Sequence, residues 1–312
     1  MQLGICAPQV GSLAGPEAIV AVAQHAEALD FGGLWVLDRI LAPVDPSDPY
    51  PVSADGSLPV EFGRVLDPLA CLTFAAAATT RLSLGTSVLT TPWYNPVMLA
   101  RQLASLDVLS GGRLRVGLGT GWSRDEHTAA GGTPAATGAR LDEFIEVMRT
   151  VWTAELVSFQ GRHFQIPPSI VDLKPRRRPP LYLAAYAPAA LARVARIADG
   201  WNPAGLPIDV MASMFAMITS MAVDAGRHGD EIALIVRANI SVSDGALAAD
   251  RPSFVGSLSQ IVDDIERCAE LGAAEVILEP QFSRAAASVT SYLEFMEEVA
   301  TRLASRRGVL AS

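Results

Sequence analysis

The chain has 312 residues, half of them hydrophobic and only 18% charged, and its net charge is −9. That is enough apolar material for a large core, and the acidic balance argues against broad nucleic-acid binding. No stretch of about eighteen uncharged apolar residues exists to cross a membrane. The opening residues, MQLGICAPQV, lack a basic leader followed by an apolar stretch, so a cytoplasmic location is expected rather than secretion.

Residues 3–7 read as a first strand. A helix over 16–31 follows, with Pro16 in its first turn and Gly32 and Gly33 at its end. Residues 34–37 form a second strand, and 40–65 a polar, proline-rich excursion without periodicity. An alanine-rich helix over 68–78 leads to a strand over 82–86. A helix over 96–109 leads to a strand over 114–118. The segment 123–138 is a second excursion. Residues 140–153 form a helix with Leu141, Phe144, Ile145 and Met148 on one face. A small hairpin is expected within 157–166. The rest alternates regularly: strands over 181–184, 199–202, 233–240 and 276–279, and helices over 188–198, 210–225, 258–271 and 289–303. About eight β/α units fit a closed (β/α)8 TIM barrel with insertions, although an open doubly wound sheet shows the same alternation. The barrel is favoured by the count and by the absence of an acidic ribose-binding residue about twenty positions past the glycines. A single domain spanning 1–312 is expected, with both excursions over the C-terminal ends of the strands, where barrels bind substrates.

Several chemistries are excluded. Cys6, Cys71 and Cys268 lie far apart, and His25, His127, His163 and His228 have no metal-ligand spacing. Neither a disulfide set nor a metal site is expected. The one lysine, Lys174, sits in the loop DLKPRRRPP, which argues against Schiff-base catalysis. Arg176, Arg177 and Arg178 precede a strand, so they belong at the opposite, stability face of a barrel. Near the middle, RLRVGLGTGW (113–122) runs an apolar strand into Gly117, Gly119 and Gly121, then Trp122. This is not a dinucleotide fingerprint, because Trp122 occupies a required position. It reads either as a tight turn or as a rim where a flat ring lies against bare backbone.

The run 89–122 (LTTPWYNPVMLARQLASLDVLSGGRLRVGLGTGW), with FGGLWVLDRI (31–40), TTRLSLGTSVLTTPWYNP (79–96) and LYLAAYAPAALARVARIADGWNP (181–203), resembles the luciferase-like family of flavin- and deazaflavin-dependent oxidoreductases. The branch that uses deazaflavin coenzyme F420 is the most similar. The resemblance implies a (β/α)8 barrel holding F420, or alternatively FMN, at its C-terminal mouth, acting on a small-molecule substrate. It places a non-proline cis peptide between Ser87 and Val88, after Thr86, bulging the backbone behind the central ring. It implies that Asp38 contacts the cofactor's polar edge. Arg39 stands where the family often has a histidine facing the reacting carbon. Arginine stays protonated, so its role would be electrostatic. Trp122 replaces a glutamate of the sugar-phosphate dehydrogenase members and offers an apolar wall. Glu126 matches a glutamate frequent in the family, and His127 could exchange protons. Ala184, Ala185, Tyr186 and Ala187 lead into the helix that begins at Pro188 and would take the phosphate at its N-terminus. Arg140 is a further candidate contact, or else pairs with Glu143. Family likeness also predicts a homodimer through helices 68–78 and 96–109, whose small residues permit close packing. The rival readings are a two-component FMN monooxygenase and a non-catalytic flavin-binding protein.

Overall fold

The computed structural model describes residues 1–53, 55–132 and 138–310, with side chains described through Arg306. Eight parallel strands close a barrel: β1 (Gln2–Cys6), β2 (Gly33–Val36), β3 (Ser83–Thr86), β5 (Leu114–Gly119), β8 (Leu181–Leu183), β9 (Gly200–Trp201), β10 (Ala233–Asn239) and β13 (Glu275–Glu279). Each pairs with its neighbours around the ring, and the β3–β5 pairing shuts it. The open-sheet alternative is thereby removed. A short β4 (Leu89–Thr90) extends the β3 side along β5. β6 (Leu156–Gln160) and β7 (Gln165–Ile170) form the antiparallel hairpin, longer at its second arm than expected. β11 (Ser241–Val242) and β12 (Val255–Gly256) pair beside the barrel.

The surrounding helices are α1 (Pro16–Ala28), α2 (Pro68–Ala78), α3 (Pro96–Ser110), α4 (Arg124–Ala129), α5 (Gly138–Thr153), α6 (Pro188–Ile197), α7 (Ile208–Asp224), α8 (Leu258–Glu270) and α9 (Val289–Leu310). Their starts follow local chemistry. Asp67 accepts the Ala70 amide at 2.7 Å, and Asn95 accepts the Val97 and Met98 amides at 3.0 and 3.2 Å. Ser257 and Gln260 make a capping box on α8. α1 stops at Ala28, three residues before the expected end, because Asp30 takes a left-handed φ of 59° and Phe31 turns into the core. α4 was not expected. Ser123 caps it by accepting the Glu126 amide, and the preceding glycines hide its short periodicity. Residues 133–137 of the second excursion lie outside the described residues.

The lower half of the barrel is plugged by Cys6, Trp35, Tyr182, Ile235 and Ile277. The Trp35 indole donates to Glu275 at 2.8 Å, and Glu275 pairs with Arg115. Gly85 leaves room for that indole: a Cβ there would lie 2.2 Å from the ring. With the bottom filled, the free volume is at the C-terminal mouth. Arg177 donates to the Gly112 carbonyl and Arg178 pairs with Asp199, both on connections that enter strands, so the arginine run sits at the N-terminal face. Lys174 donates to the carbonyls of Val151 and Ala154 at the end of α5.

Candidate active site

A cavity of about 470 Å³ opens at the mouth. Its floor is set by a bulge. Leu84 and Leu89 oppose Leu114 and Leu118, so five residues on the β3–β4 side span four on β5. The extra residue lies at the Ser87–Val88 bond, which is cis. The Thr86 hydroxyl fills the broken ladder, donating to the Gly117 carbonyl and accepting its amide, both at 2.8 Å. Gly117 has to be glycine here, because a Cβ would sit 2.0 Å from the Thr86 carbonyl oxygen. At Gly119 a Cβ would meet Val88 at 2.6 Å. The alternating glycines therefore accommodate the bulge first, and only Gly119 and Gly121 also line the cavity.

Two residues missed in the sequence hold the bulge. Asn202 accepts the Ser87 hydroxyl at 2.8 Å and donates to the Ile235 carbonyl at 2.7 Å. Arg237 donates to the Ser87 carbonyl at 2.8 Å and to Glu279 at 2.7 Å. Glu279 raises the Arg237 pKa against the opposing effect of burial. Arg237 was signalled by one charge inside the apolar run ALIVRAN, and Asn202 by its place just after a strand.

Asp38 follows β2 and is 7% exposed. Its carboxylate accepts the Thr90 amide at 2.8 Å and the Tyr94 hydroxyl at 3.1 and 3.2 Å. Burial pushes its pKa from an ordinary 3.8 up to about 7, against those two donors. Arg39 points into the same cavity. Its guanidinium carbon lies over two aromatic rings, 4.5 Å from the Phe62 centroid and 4.9 Å from the Trp122 centroid. Nη2 lies 3.0 Å from Glu126, out of line for a hydrogen bond, and Nε and Nη1 have no acceptor among the described residues. Glu126 also accepts the Ile40 amide at 3.0 Å, and burial raises its pKa. This acid holds Arg39 and the start of the 40–65 excursion together. The Arg124–Asp48 and Ser47–Asp125 contacts fasten the same excursion further out. Its underside brings Tyr50, Pro51, Val52 and Phe62 to the cavity, none of them singled out in the sequence. Tyr50 stands 5.5 Å from Trp122 and 5.6 Å from Phe62.

Other expected residues are placed differently. Ala184 and Tyr186 line the cavity, and the Tyr186 hydroxyl clasps the Ala204 backbone at 3.1 and 3.2 Å. Ala185 is buried and turns its carbonyl to the Trp201 indole. Ala187 is the N-cap of α6 and gives it no side-chain cap; its carbonyl accepts the Ala190 and Leu191 amides at 2.8 and 2.9 Å, and Pro188 has no N–H, so in the first turn the Ala189 amide is left to a ligand. Arg140 is not among the residues around the cavity. It lies 4.5 Å over the Phe164 ring, and Glu143 accepts backbone amides of residues 162–164 instead of pairing with it. His127 is buried with Nδ1 accepting the Trp93 indole at 3.1 Å, and burial lowers its pKa, so it stays neutral as a scaffold group.

The arrangement fits a flat redox ring. It offers bare backbone at Gly119–Gly121, a buried carboxyl whose pKa is pushed up to about 7, and two arginines, Arg39 and Arg237, in its wall. The luciferase-like monooxygenase family model matches residues 1–302. The chain belongs to this family. Uncharacterized protein Rv0953c of Mycobacterium tuberculosis is 31% identical over 288 residues, covering 91% of this chain and 93% of that one. An F420-dependent glucose-6-phosphate dehydrogenase of Kineococcus radiotolerans is 32% identical over 204 residues, 63% of this chain and 60% of that one. In structure, monooxygenase RslO1 of Streptomyces bottropensis superposes with a TM-score of 0.81 at 23% identity, over 98% of this chain and 100% of that one. This luciferase-like chain is thus an oxidoreductase on a (β/α)8 barrel with a deazaflavin or flavin cofactor.

Proposed function

We propose that this luciferase-like protein is an F420-dependent oxidoreductase, a single-domain cytoplasmic homodimer that moves a hydride between the deazaflavin and a small apolar organic substrate. The observation that carries this reading is the composition of the cavity. No histidine, lysine or cysteine is found among the described residues that line it. Bound deazaflavin would supply the hydride chemistry itself, so the protein need only bind, orient and exclude water. Asp38 contacts the cofactor's polar edge, and the bulge at Ser87–Val88 lies behind its ring. Gly119 and Gly121 form the rim. The loop Ala184–Ala187, ahead of α6, receives the phosphate through the amides of Ala185, Tyr186 and Ala187, the Ala184 amide being taken by the Leu118 carbonyl. Arg39 faces the acceptor and opposes developing negative charge. Glu126 keeps Arg39 in place, and Trp122 walls the substrate side with Tyr50. The identity with an F420-dependent relative supports the cofactor choice. Exposed Phe74, Met98 and Leu109 on α2 and α3 support the dimer.

The second reading is an FMN-dependent monooxygenase, favoured by the structural likeness to RslO1. Titrating the purified protein with F420 and with FMN, each followed by its own fluorescence, separates the two. Saturable quenching of F420 is expected. Tight binding of FMN without binding of F420 would overturn the first reading.

A further inference from the structure

Tyr50 brings to the mouth a phenol that the protein itself does not use. Its backbone is fixed inside the 40–65 excursion: its N–H donates to the Gly56 carbonyl at 2.8 Å, and its carbonyl accepts the Ser53 hydroxyl at 3.4 Å. Its ring meets Phe62 edge-on at 86° and leans on Trp122 at 54°. The side chain borders the cavity, yet its hydroxyl has no hydrogen-bond partner among the described residues, and it is not sealed in as the Arg39 nitrogens are. A phenol held in this way normally has a partner, which points to an atom arriving with a ligand. Neighbouring polar groups are engaged or stand elsewhere. Ser87 donates to Asn202, and Tyr186 to the Ala204 carbonyl. Asp38 takes the Thr90 amide and the Tyr94 hydroxyl. Thr90 and Thr120 lie on β4 and at the Gly119–Gly121 rim, the side given above to the cofactor ring.

We propose that Tyr50 is the polar anchor of the substrate, donating its hydroxyl to a carbonyl oxygen on a flat, apolar molecule. This rests on the hydride-transfer reading above, which puts the cofactor ring at the strand ends and leaves the space under the excursion to the substrate. The charged groups facing the phenol are Arg237, Glu279 and Arg39. Two guanidiniums thus stand against one carboxylate, and that carboxylate is already paired with Arg237 at 2.7 Å. The phenol proton turns away from the two cations, and an oxygen that only accepts is favoured in front of it. Burial pushes the Tyr50 pKa up, so the hydroxyl keeps its proton at neutral pH. Trp122 Nε1 is also without a partner among the described residues, but the field of the guanidiniums favours the phenol, and the test below separates the two. Around this anchor Phe62, Trp122, Val52 and Leu206 give apolar walls for the body of the ligand. The bond fixes where the oxygen sits, whichever group at the mouth supplies a proton during turnover. A ligand without that oxygen leaves the phenol unpaired and is bound less well.

The test compares wild type with Y50F, which removes an oxygen that bonds to no described residue and so leaves the contacts of the fold in place. Each protein is loaded with whichever of oxidised F420 or FMN it binds. An oxidised cofactor has no hydride to give, so bound ligands are not turned over. Acetophenone and ethylbenzene, alike except for the carbonyl oxygen, are titrated against the cofactor's absorbance. The ratio of their affinities is expected to shift against acetophenone by about 3- to 10-fold in Y50F. General damage to the pocket would weaken both ligands and leave the ratio alone. The same ratio in both proteins, or no binding of acetophenone to wild type, would overturn the proposal. A second measurement starts from wild type alone. The infrared carbonyl stretch of bound acetophenone, isolated by carbon-13 labelling, should lie below its value in hexane and return toward that value in Y50F. A wild-type stretch at the hexane value would overturn the proposal without any variant. A stretch lowered equally in Y50F would give the oxygen to another donor, such as Trp122 Nε1, and overturn it too. With a cofactor bound, these failures sink the proposal alone. Binding of neither cofactor would remove the reading beneath it as well.

Discussion

Asp38 gives the site a measurable pH signature. Its folded pKa of about 7 lies about three pH units above the ordinary 3.8. Below pH 4 both folded and unfolded chains hold the proton. Between about 4 and 7 only the folded chain holds it, so stability falls as pH rises and levels off above 7. At about 1.4 kcal/mol per unit, the loss is about 4 kcal/mol. Asp38→Asn removes the titration while preserving shape. An amide and a protonated carboxyl are isosteric, and the amide oxygen can still accept the Thr90 amide while Tyr94 meets the other end. At pH 5 the variant should therefore lie within about 1–2 kcal/mol of the wild type. By pH 8 it should have gained most of the 4 kcal/mol relative to it. Urea unfolding of cofactor-free protein at fixed concentration, from pH 4.5 to 8.5, measures the difference directly. Glu126 and Glu275, also raised by burial, remain in both proteins and largely cancel. Stability curves that stay parallel across this range would refute the reasoning.

Three further outcomes are expected. Gly117→Ala places a Cβ 2.0 Å from the Thr86 carbonyl, backbone that cannot swing aside. It should cost about 3 kcal/mol or more, read as a lowered melting temperature. Arg237→Met strands Glu279, whose side chain is fully buried, and should destabilise by about 3–5 kcal/mol. Adding Glu279→Gln should recover part of that loss, and a double-mutant cycle in urea checks it. Leu109→Asp puts a charge on the exposed apolar face of α3. It should turn a dimer into a monomer by analytical ultracentrifugation while leaving the far-ultraviolet circular dichroism spectrum intact. A wild-type chain that sediments as a monomer would remove the dimer itself.

The barrel was legible because its signal is repetitive. Eight apolar stretches too short to be helices, spaced by amphipathic ones, leave few closed arrangements, and Pro16, Pro68, Pro96 and Pro188 each open a helix where expected. The site was legible in part, for a different reason. Asp38, Arg39, Ser87, Val88, Gly119, Gly121, Trp122, Glu126, Ala184 and Tyr186 all border one cavity; the resemblance to the luciferase-like family singled most of them out, at or just past the ends of strands that a barrel gathers at one mouth. Position along the strand decides that, and position is written in the sequence. Orientation is not. Thr86 and Ala185 also end strands, yet they face the scaffold, and Arg140 turns to Phe164.

What stayed hidden depends on register. The bulge needs a bond from outside β3, and Arg237 supplies it only because β10 runs beside β13 with Asn239 opposite Glu279, which sets that carboxylate two residues along from the guanidinium. A shift of one residue would turn Arg237 to the helices and leave Glu279 unpaired inside the barrel. The apolar run ALIVRAN shows an intruding charge, but its partner lies 42 residues away. The excursion 40–65 is hidden for the opposite reason. It has no register, and Tyr50 and Phe62 reach the mouth because Glu126 holds the Ile40 amide and Asp125 holds Ser47. On the proposed reading, a few polar ties on α4 set the substrate side and strand pairing sets the cofactor side. Changes to those ties should alter which acceptor is used while leaving cofactor affinity in place.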